Sequence, residues 1–355
     1  MKLLEENYEI NFSKINFLER KEKITKNKTI ICGAWKTGKS YLIYDFLSNF
    51  KTDEYLYIDF NDLKNSYIKN ELQFLQEFIN KNSIKVLVLE NIDDIFSLPN
   101  CENIIISSSK NIQIEGFSKI NLFALDFEEY LLFDNKHQNI TQSFNSFLKY
   151  GNFAELINID EQKRNQRLQE IIKLGIKDNV DYEILKILIE NIDEKKSIFQ
   201  LFNSLKTKIR VSKDRFYDVC KEFEDKKTIF FIPKYNQDKS LKKIYSYNHA
   251  FFSAISFTKK FKNEFTNMVF LELLKEQDIY YLDNVDFYIK SQNLFVIAIP
   301  FFNSNLNANL LKKIIKSALE LQVKKIEIVT ISNQENIKNS DIKIDIIPFY
   351  EWALG

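Results

Sequence analysis

Short apolar runs punctuate the first third of the chain, at 28–32, 55–60, 85–89, 104–107 and 120–125. Helical stretches such as YLIYDFLSNF and ELQFLQEFINKN stand between most of them. This alternation predicts an α/β fold, a parallel sheet with helices on both faces. Residues 1–28 read as a charged helical segment, and 128–172 as helices interrupted at Gly151. The pattern then changes. Helical periodicity at 181–192, 197–206 and 212–224 is followed by short strands at 228–233 and 242–247. Three helices and a two-stranded ribbon form the winged-helix pattern. From about residue 260 the chain turns mixed, with a helix at NEFTNMVFLELLKEQ, strands at IYYL, VDFYIK and LFVIAI, a helix at NANLLKKIIKSALELQ, and strands at KIEIVT and DIIPF. That predicts a smaller α/β unit. The expected boundaries are 1–130, a helical lid at 131–175, a winged-helix unit at 176–255 and the last unit at 256–355.

A chain of 355 residues has room for two or three domains. Its 45% hydrophobic and 28% charged residues exclude a disordered protein. With 6 Gly and 4 Pro, little of it can be linker. Lys, Asn, Ile and Phe are abundant throughout, as in an AT-rich coding sequence, so a single Lys or Asn says little. The formal charge of +1 means that any contact with nucleic acid must rest on a local patch. Cys32, Cys101 and Cys220 are far apart, and only His137 and His249 are available, which argues against a zinc site or a disulfide framework and for a reducing compartment. The N-terminus MKLLEENYEI lacks the apolar core of a signal peptide, and LFVIAIPFF (294–302) is too short to span a bilayer. Both point to the cytoplasm.

The residues Gly33, Ala34, Trp35, Lys36, Thr37, Gly38, Lys39 and Ser40 match G-x-x-x-x-G-K-[ST]. In such a loop the glycines let successive backbone N–H groups turn toward phosphate oxygens. Lys39 reaches the β and γ phosphates, and the Ser40 hydroxyl takes a magnesium position. The helix that starts near Gly38, with Tyr41 just inside it, adds its positive end. An apolar strand before the loop and an amphipathic helix after it supply the required context, so ATP and Mg2+ are the expected ligands. VLVLENIDDI (86–95) supplies the acid strand, which in phosphate-loop proteins usually ends Asp-Glu: the first acid serves the magnesium, the second the attacking water. Here the pair is Glu90-Asn91. Ser107, Ser108 and Ser109 end the next strand, either to sense the γ phosphate or as a plain polar turn.

In order along the chain, these segments resemble a group of prokaryotic AAA+ superfamily phosphate-loop ATPases that carry a C-terminal restriction-endonuclease-like domain. ICGAWKTGKS resembles the family's phosphate loop, and VLVLENID its L-D-E-I-Q strand. LDFEEYL (125–131), FLKYGNFAEL (147–156), NMVFLELL (267–274) and NVDFYI (284–289) are similar to later family segments. The resemblance implies Glu90 as the metal-facing acid, directly or through water, and Asn91 at the position of the catalytic base. It also puts Phe117 where an arginine is often found. An amide at 91 orients water but accepts no proton. A positioned base contributes about 10²–10⁴ in rate, so nucleotide binding is expected to outlast hydrolysis. Asp93 and Asp94 are candidate substitutes for the base, or turn and helix caps. In the last unit Asp286 fits the first metal position of an endonuclease site, but Leu294–Pro300 offers neither acid nor lysine, so nuclease activity is not expected.

The third helix of the winged-helix pattern carries Phe216, Val219, Cys220 and Phe223 on a core-facing stripe. Beside it lie Lys206, Lys208, Arg210, Lys213 and Arg215, a basic edge suited to DNA phosphates. Asp218, Glu222 and Glu224 on the same helix suit protein contacts instead. The reading is an ATP-binding protein with slow or absent hydrolysis, in which nucleotide state biases the contacts of the later units. An active DNA-associated ATPase, or a scaffold with ATP as a structural ligand, are the alternatives.

Overall fold

The five apolar runs of the first third end as five parallel strands. In the computed structural model, which describes every residue except 9, 13, 16, 238, 239 and 339–341 and leaves the side chains of 336 and 338 aside, the chain divides into two units, Met1–Phe123 and Ala124–Gly355. The first holds α1 (Lys2–Tyr8), β1 (Lys28–Cys32), α2 (Lys39–Leu47), β2 (Tyr55–Asp59), α3 (Leu75–Asn82), β3 (Val86–Glu90), β4 (Asn103–Ser108) and β5 (Ser118–Asn121). The strand order is β2-β3-β4-β1-β5, so β4 separates the strand that feeds the phosphate loop from the strand that carries the acid.

Period-two alternation sorts the side chains of these strands into two cores. Leu56, Ile58, Leu87, Leu89, Ile104 and Ile106 meet Leu75, Phe78 and Ile79 of α3 on one face. Tyr55, Tyr57, Val86, Val88 and Ile105 meet Leu42, Ile43 and Leu47 of α2 on the other. Strands buried on both faces must be apolar almost throughout, which is why the runs read so clearly.

The first 28 residues depart from expectation. Only Lys2–Tyr8 is helical, and among the described residues 10–27 form a non-helical strap; 9, 13 and 16 lie outside the described residues. Tertiary contacts outweigh helix propensity here. The Tyr55 hydroxyl donates to the Ile10 carbonyl at 3.0 Å. Ile10, Phe12 and Ile24 pack against the α2 core, and Phe12 stacks on Tyr44 with ring centres 4.4 Å apart.

The second unit opens with α4 (Phe127–Phe133), α5 (Ile140–Tyr150), α6 (Ala154–Asn158) and α7 (Glu161–Leu174). Asp126 and Glu129 form a capping box at the start of α4. Next come α8 (Asn179–Glu190), β6 (Lys195–Lys196), α9 (Ile198–Lys206), α10 (Lys213–Asp225), β7 (Ile229–Ile232) and β8 (Lys242–Ser246). The ribbon is three-stranded rather than two-stranded, in the order β6-β8-β7, because the two-residue β6 adds to its edge. The rest is α11 (Phe251–Ile255), α12 (Phe261–Glu272), β9 (Ile279–Leu282), β10 (Val285–Ile289), β11 (Leu294–Ala298), α13 (Ala308–Glu320), β12 (Lys325–Thr330), β13 (Glu335–Lys338), β14 (Lys343–Pro348) and α14 (Phe349–Trp352). Six of these strands form a mixed sheet, β13-β14-β12-β11-β10-β9. One face packs on α12 and on Phe127, Phe144 and Phe147 of the preceding helices; the other packs on Ile314 and Ala318 of α13.

Candidate functional site

The loop between β1 and α2 is held by backbone that tolerates little else. A Cβ on Gly33 would lie 2.2 Å from the Leu122 carbonyl oxygen, and Gly38 sits at φ 95°, in the left-handed region. Lys36 is left-handed as well, at φ 63°. The Thr37 hydroxyl donates to the Ala34 carbonyl at 3.1 Å. From outside the loop, the Arg20 guanidinium donates to the carbonyls of Thr37 at 2.8 Å and Phe123 at 3.1 Å.

Lys39, the first residue of α2, is 7% exposed. Its ammonium donates to the Gly33 carbonyl at 2.9 Å and the Ala34 carbonyl at 2.8 Å, so it folds back over the loop where phosphates would lie. Burial lowers its pKa to about 8, against the pull of Glu90. Glu90 ends β3 at 1% exposure. One of its carboxylate oxygens accepts the Ser40 hydroxyl at 2.5 Å and the other accepts the Tyr57 hydroxyl. Burial raises the Glu90 carboxyl, and its two hydroxyl partners oppose that. Burial and the Glu90 charge together push the Tyr57 phenol up. Ser40 and Glu90 therefore converge as two oxygen donors, the donor chemistry a magnesium ion requires. Trp35 lies in the loop with its indole N–H buried and, among the described residues, without a hydrogen-bond partner. Tyr41 points outward, 52% exposed.

Asn91 leaves the strand at φ 59°. Its backbone N–H donates to the Ser107 hydroxyl at 3.1 Å, and its side-chain amide donates to an Asp59 carboxylate oxygen at 2.9 Å. The Ser108 hydroxyl donates to the Ile92 carbonyl at 2.7 Å. Ser107 and Ser108 thus fix the backbone that follows the acid. Asp93 is exposed and pairs with Lys110 at 3.4 Å; neither it nor Asp94 caps a helix. Asn91 and Asp93 line a cavity of about 540 Å³ with Phe60, Asn61 and Phe96. Phe117 lies in the turn before β5, half-buried against the α3-side core. Tyr57 and Asp59 are the site residues that the sequence did not flag. Only the shared parity of the polar positions 57 and 59 in YLYID is local to the sequence; that this strand lies beside VLVLE is set by pairing across the sheet.

In the second unit, Asp286 accepts the Lys243 ammonium at 2.8 Å and the Ala298 backbone N–H at 3.1 Å. Lys243 also donates to Asp193 at 2.6 Å, and the Tyr245 hydroxyl donates to the same Asp193 oxygen at 2.9 Å. A lysine occupies the flank of Asp286 where a metal would need further carboxylates. No group of three metal-ligating side chains occurs among the described residues. Of the basic edge, Lys206, Lys208, Arg210, Lys213 and Arg215 are all exposed around the α9–α10 connection. Arg215 is committed to Asp178 at 2.9 Å and Asp181 at 2.5 Å. The Lys213 ammonium lies over the Phe199 and Tyr217 rings. Glu222 is neutralised in turn by Lys177 and Lys226.

Residues 25–116 match the AAA domain family. The chain is 25% identical to the uncharacterized protein MJ1544 of Methanocaldococcus jannaschii over 398 aligned positions, covering 94% of this chain and 89% of that protein. Among solved structures, a Walker-type ATPase of Pyrococcus abyssi aligns at 12% identity and a TM-score of 0.40, covering 64% of this chain and 90% of that one. DnaA of Aquifex aeolicus, bound to AMPPCP, aligns at 14% identity and a TM-score of 0.30, covering 63% and 92%. The family match and the phosphate-loop sheet agree: the first unit has an AAA+-type ATP-binding fold. No helix among the described residues is long and apolar enough to cross a membrane.

Proposed function

We propose that the chain is a cytoplasmic Mg-ATP-binding protein in which Gly33–Ser40 holds the phosphates, Ser40 and Glu90 hold the metal, and hydrolysis is slow. The observation that carries this reading is the pairing of the Ser40 hydroxyl with a Glu90 oxygen beside the Lys39 ammonium, all on one loop and one strand end. Bound magnesium would neutralise charge on the β and γ phosphate oxygens. The chain's own residues do the rest. Loop N–H groups bind phosphate, Lys39 leaves the Gly33 and Ala34 carbonyls for phosphate oxygens, and Tyr57 keeps Glu90 oriented.

Nucleotide state would then bias the contacts of the second unit, which we read as a helical lid (131–175), a winged-helix segment (176–255) and an endonuclease-like segment (256–355) without nuclease activity. The order α8-β6-α9-α10-β7-β8 supports the winged-helix assignment, and the Lys243 partner of Asp286 supports the last. A second reading has DNA docking at Lys206, Lys208, Arg210 and Lys213, favoured by their exposure on one connection. Mass-spectrometric identification of nucleotide carried through purification, followed by its turnover rate with and without duplex DNA, tests these readings. ATP recovered intact with slow, DNA-independent turnover supports the first. Brisk turnover that needs DNA supports the second. ATP that never exchanges marks a structural ligand.

A further inference from the structure

Asn91 stands where a phosphate-loop ATPase carries its base, and an amide takes no proton. The neighbouring strand supplies a carboxylate. β2 and β3 are parallel and in register, with Asp59 opposite Glu90. Asp59 shares the parity of Tyr55 and Tyr57, and Glu90 that of Val86 and Val88, all of which face α2. The two acids therefore lie side by side on the phosphate-loop face, at the strand ends where ligands bind in open α/β sheets. The left-handed backbone at Asn91 turns its amide back onto this face, and the amide donates to Asp59 at 2.9 Å. A second N–H, from Asn61, donates to the same Asp59 oxygen at 2.9 Å. That bond alone would make an ordinary Asx turn; the bond from Asn91 is not part of it.

Resting on the ATP-binding reading above, we infer that Asp59 and Asn91 together sustain its slow hydrolysis: Asn91 orients the attacking water through its amide, and Asp59 is the base. The water oxygen bonds to the γ-phosphorus as the bond from that phosphorus to the β,γ-bridging oxygen breaks. ADP leaves with that electron pair. The water proton passes to the Asp59 carboxylate and from this half-buried strand end returns to solvent. Asn91 also lines a cavity of about 540 Å³ with Phe60 and Asn61, the two residues that follow Asp59.

The test compares wild type, Asp59→Asn and the exchange variant Asp59→Asn with Asn91→Asp, each as the full chain. Mg-ATP affinity is followed by tryptophan fluorescence and hydrolysis by single turnover of radiolabelled ATP. Asparagine at 59 keeps the acceptor for both N–H groups, so affinity should stay within about threefold while the rate falls by about 10²–10⁴. The exchange returns a carboxylate to the same pair and should recover at least about tenfold of the loss with affinity level throughout; a merely structural role for Asp59 predicts that affinity falls and recovers together with the rate. An unchanged rate in Asp59→Asn, no recovery in the exchange, or wild-type turnover equal to that of buffer overturns the inference while leaving ATP binding standing. Absence of Mg-ATP binding in wild type overturns the ATP-binding reading itself.

Discussion

Lys39 has a lowered pKa, near 8, while its ammonium rests on loop carbonyls instead of phosphates. Nucleotide phosphates would favour the charged form and raise it again. Binding above that pH must therefore be accompanied by proton uptake. Affinity for Mg-ATP should be level below about pH 8 and fall by up to about tenfold per unit above it. Titrations at about pH 7 and pH 9 check this, and an unchanged affinity would contradict it. The loop residues and the Glu90-Asn91 pair were legible because motif spacing is local in sequence. Tyr57 and Asp59 were not, because their roles depend on which strand lies beside β3. That neighbour is set by pairing across the sheet, from Asp59 to Glu90. Arg20 was hidden for a related reason: it reaches Thr37 only because the strap that carries it folds over the loop.

A strong period or a long apolar run makes an element legible in the sequence, and stabilisation by distant partners does not. The four strands β1 to β4 are buried on both faces and announce themselves. By contrast β6 exists only because Lys195 and Lys196 pair with Lys243 and Lys242 of β8, and no composition rule marks two lysines as a strand. The segment 10–27 is charged enough to look helical, yet Ile10, Phe12 and Ile24 anchor it as a strap. The turn after β8 carries a buried histidine with a measurable consequence. His249 is fully buried, one ring nitrogen sits 2.8 Å from the Phe147 carbonyl oxygen, and the other nitrogen has no partner among the described residues. Burial pushes its pKa down to about 4. Between its unfolded value of 6.5 and about 4, the unfolded chain binds a proton that the folded chain refuses, so stability present above that window is lost as pH falls through it. The loss should approach about 3 kcal/mol. Urea denaturation across the window should show a shallower decline in His249→Phe than in wild type; parallel declines would contradict the assignment.

Across the whole molecule the two candidate sites are built in opposite ways. At the phosphate loop, oxygen donors converge and a lysine is poised to swing onto a ligand. At Asp286, Lys243 is a permanent internal cation shared with Asp193, both acids being buried. Removing it leaves two buried carboxylates without a counter-charge, which costs about 3–5 kcal/mol. Lys243→Met should lose stability on that scale in denaturant titrations, and Asp193→Asn with Asp286→Asn in the same chain should restore most of it; a neutral Lys243→Met would mean that the cluster holds nothing together. The α/β plan, the helix-rich middle and the mixed last sheet were legible from periodicity. The Asp193–Lys243–Asp286 cluster was not, since its members come from a turn and two strands that only packing unites. Nucleotide held at Gly33–Ser40 is the premise of every functional step proposed for this chain. The most direct measurement is thermal unfolding of wild type and Lys39→Ala with and without Mg-ATP. At ligand a hundredfold above its dissociation constant, wild type should gain about 2.7 kcal/mol of stability and Lys39→Ala almost none. Equal stabilisation of the two proteins would contradict the phosphate-loop assignment.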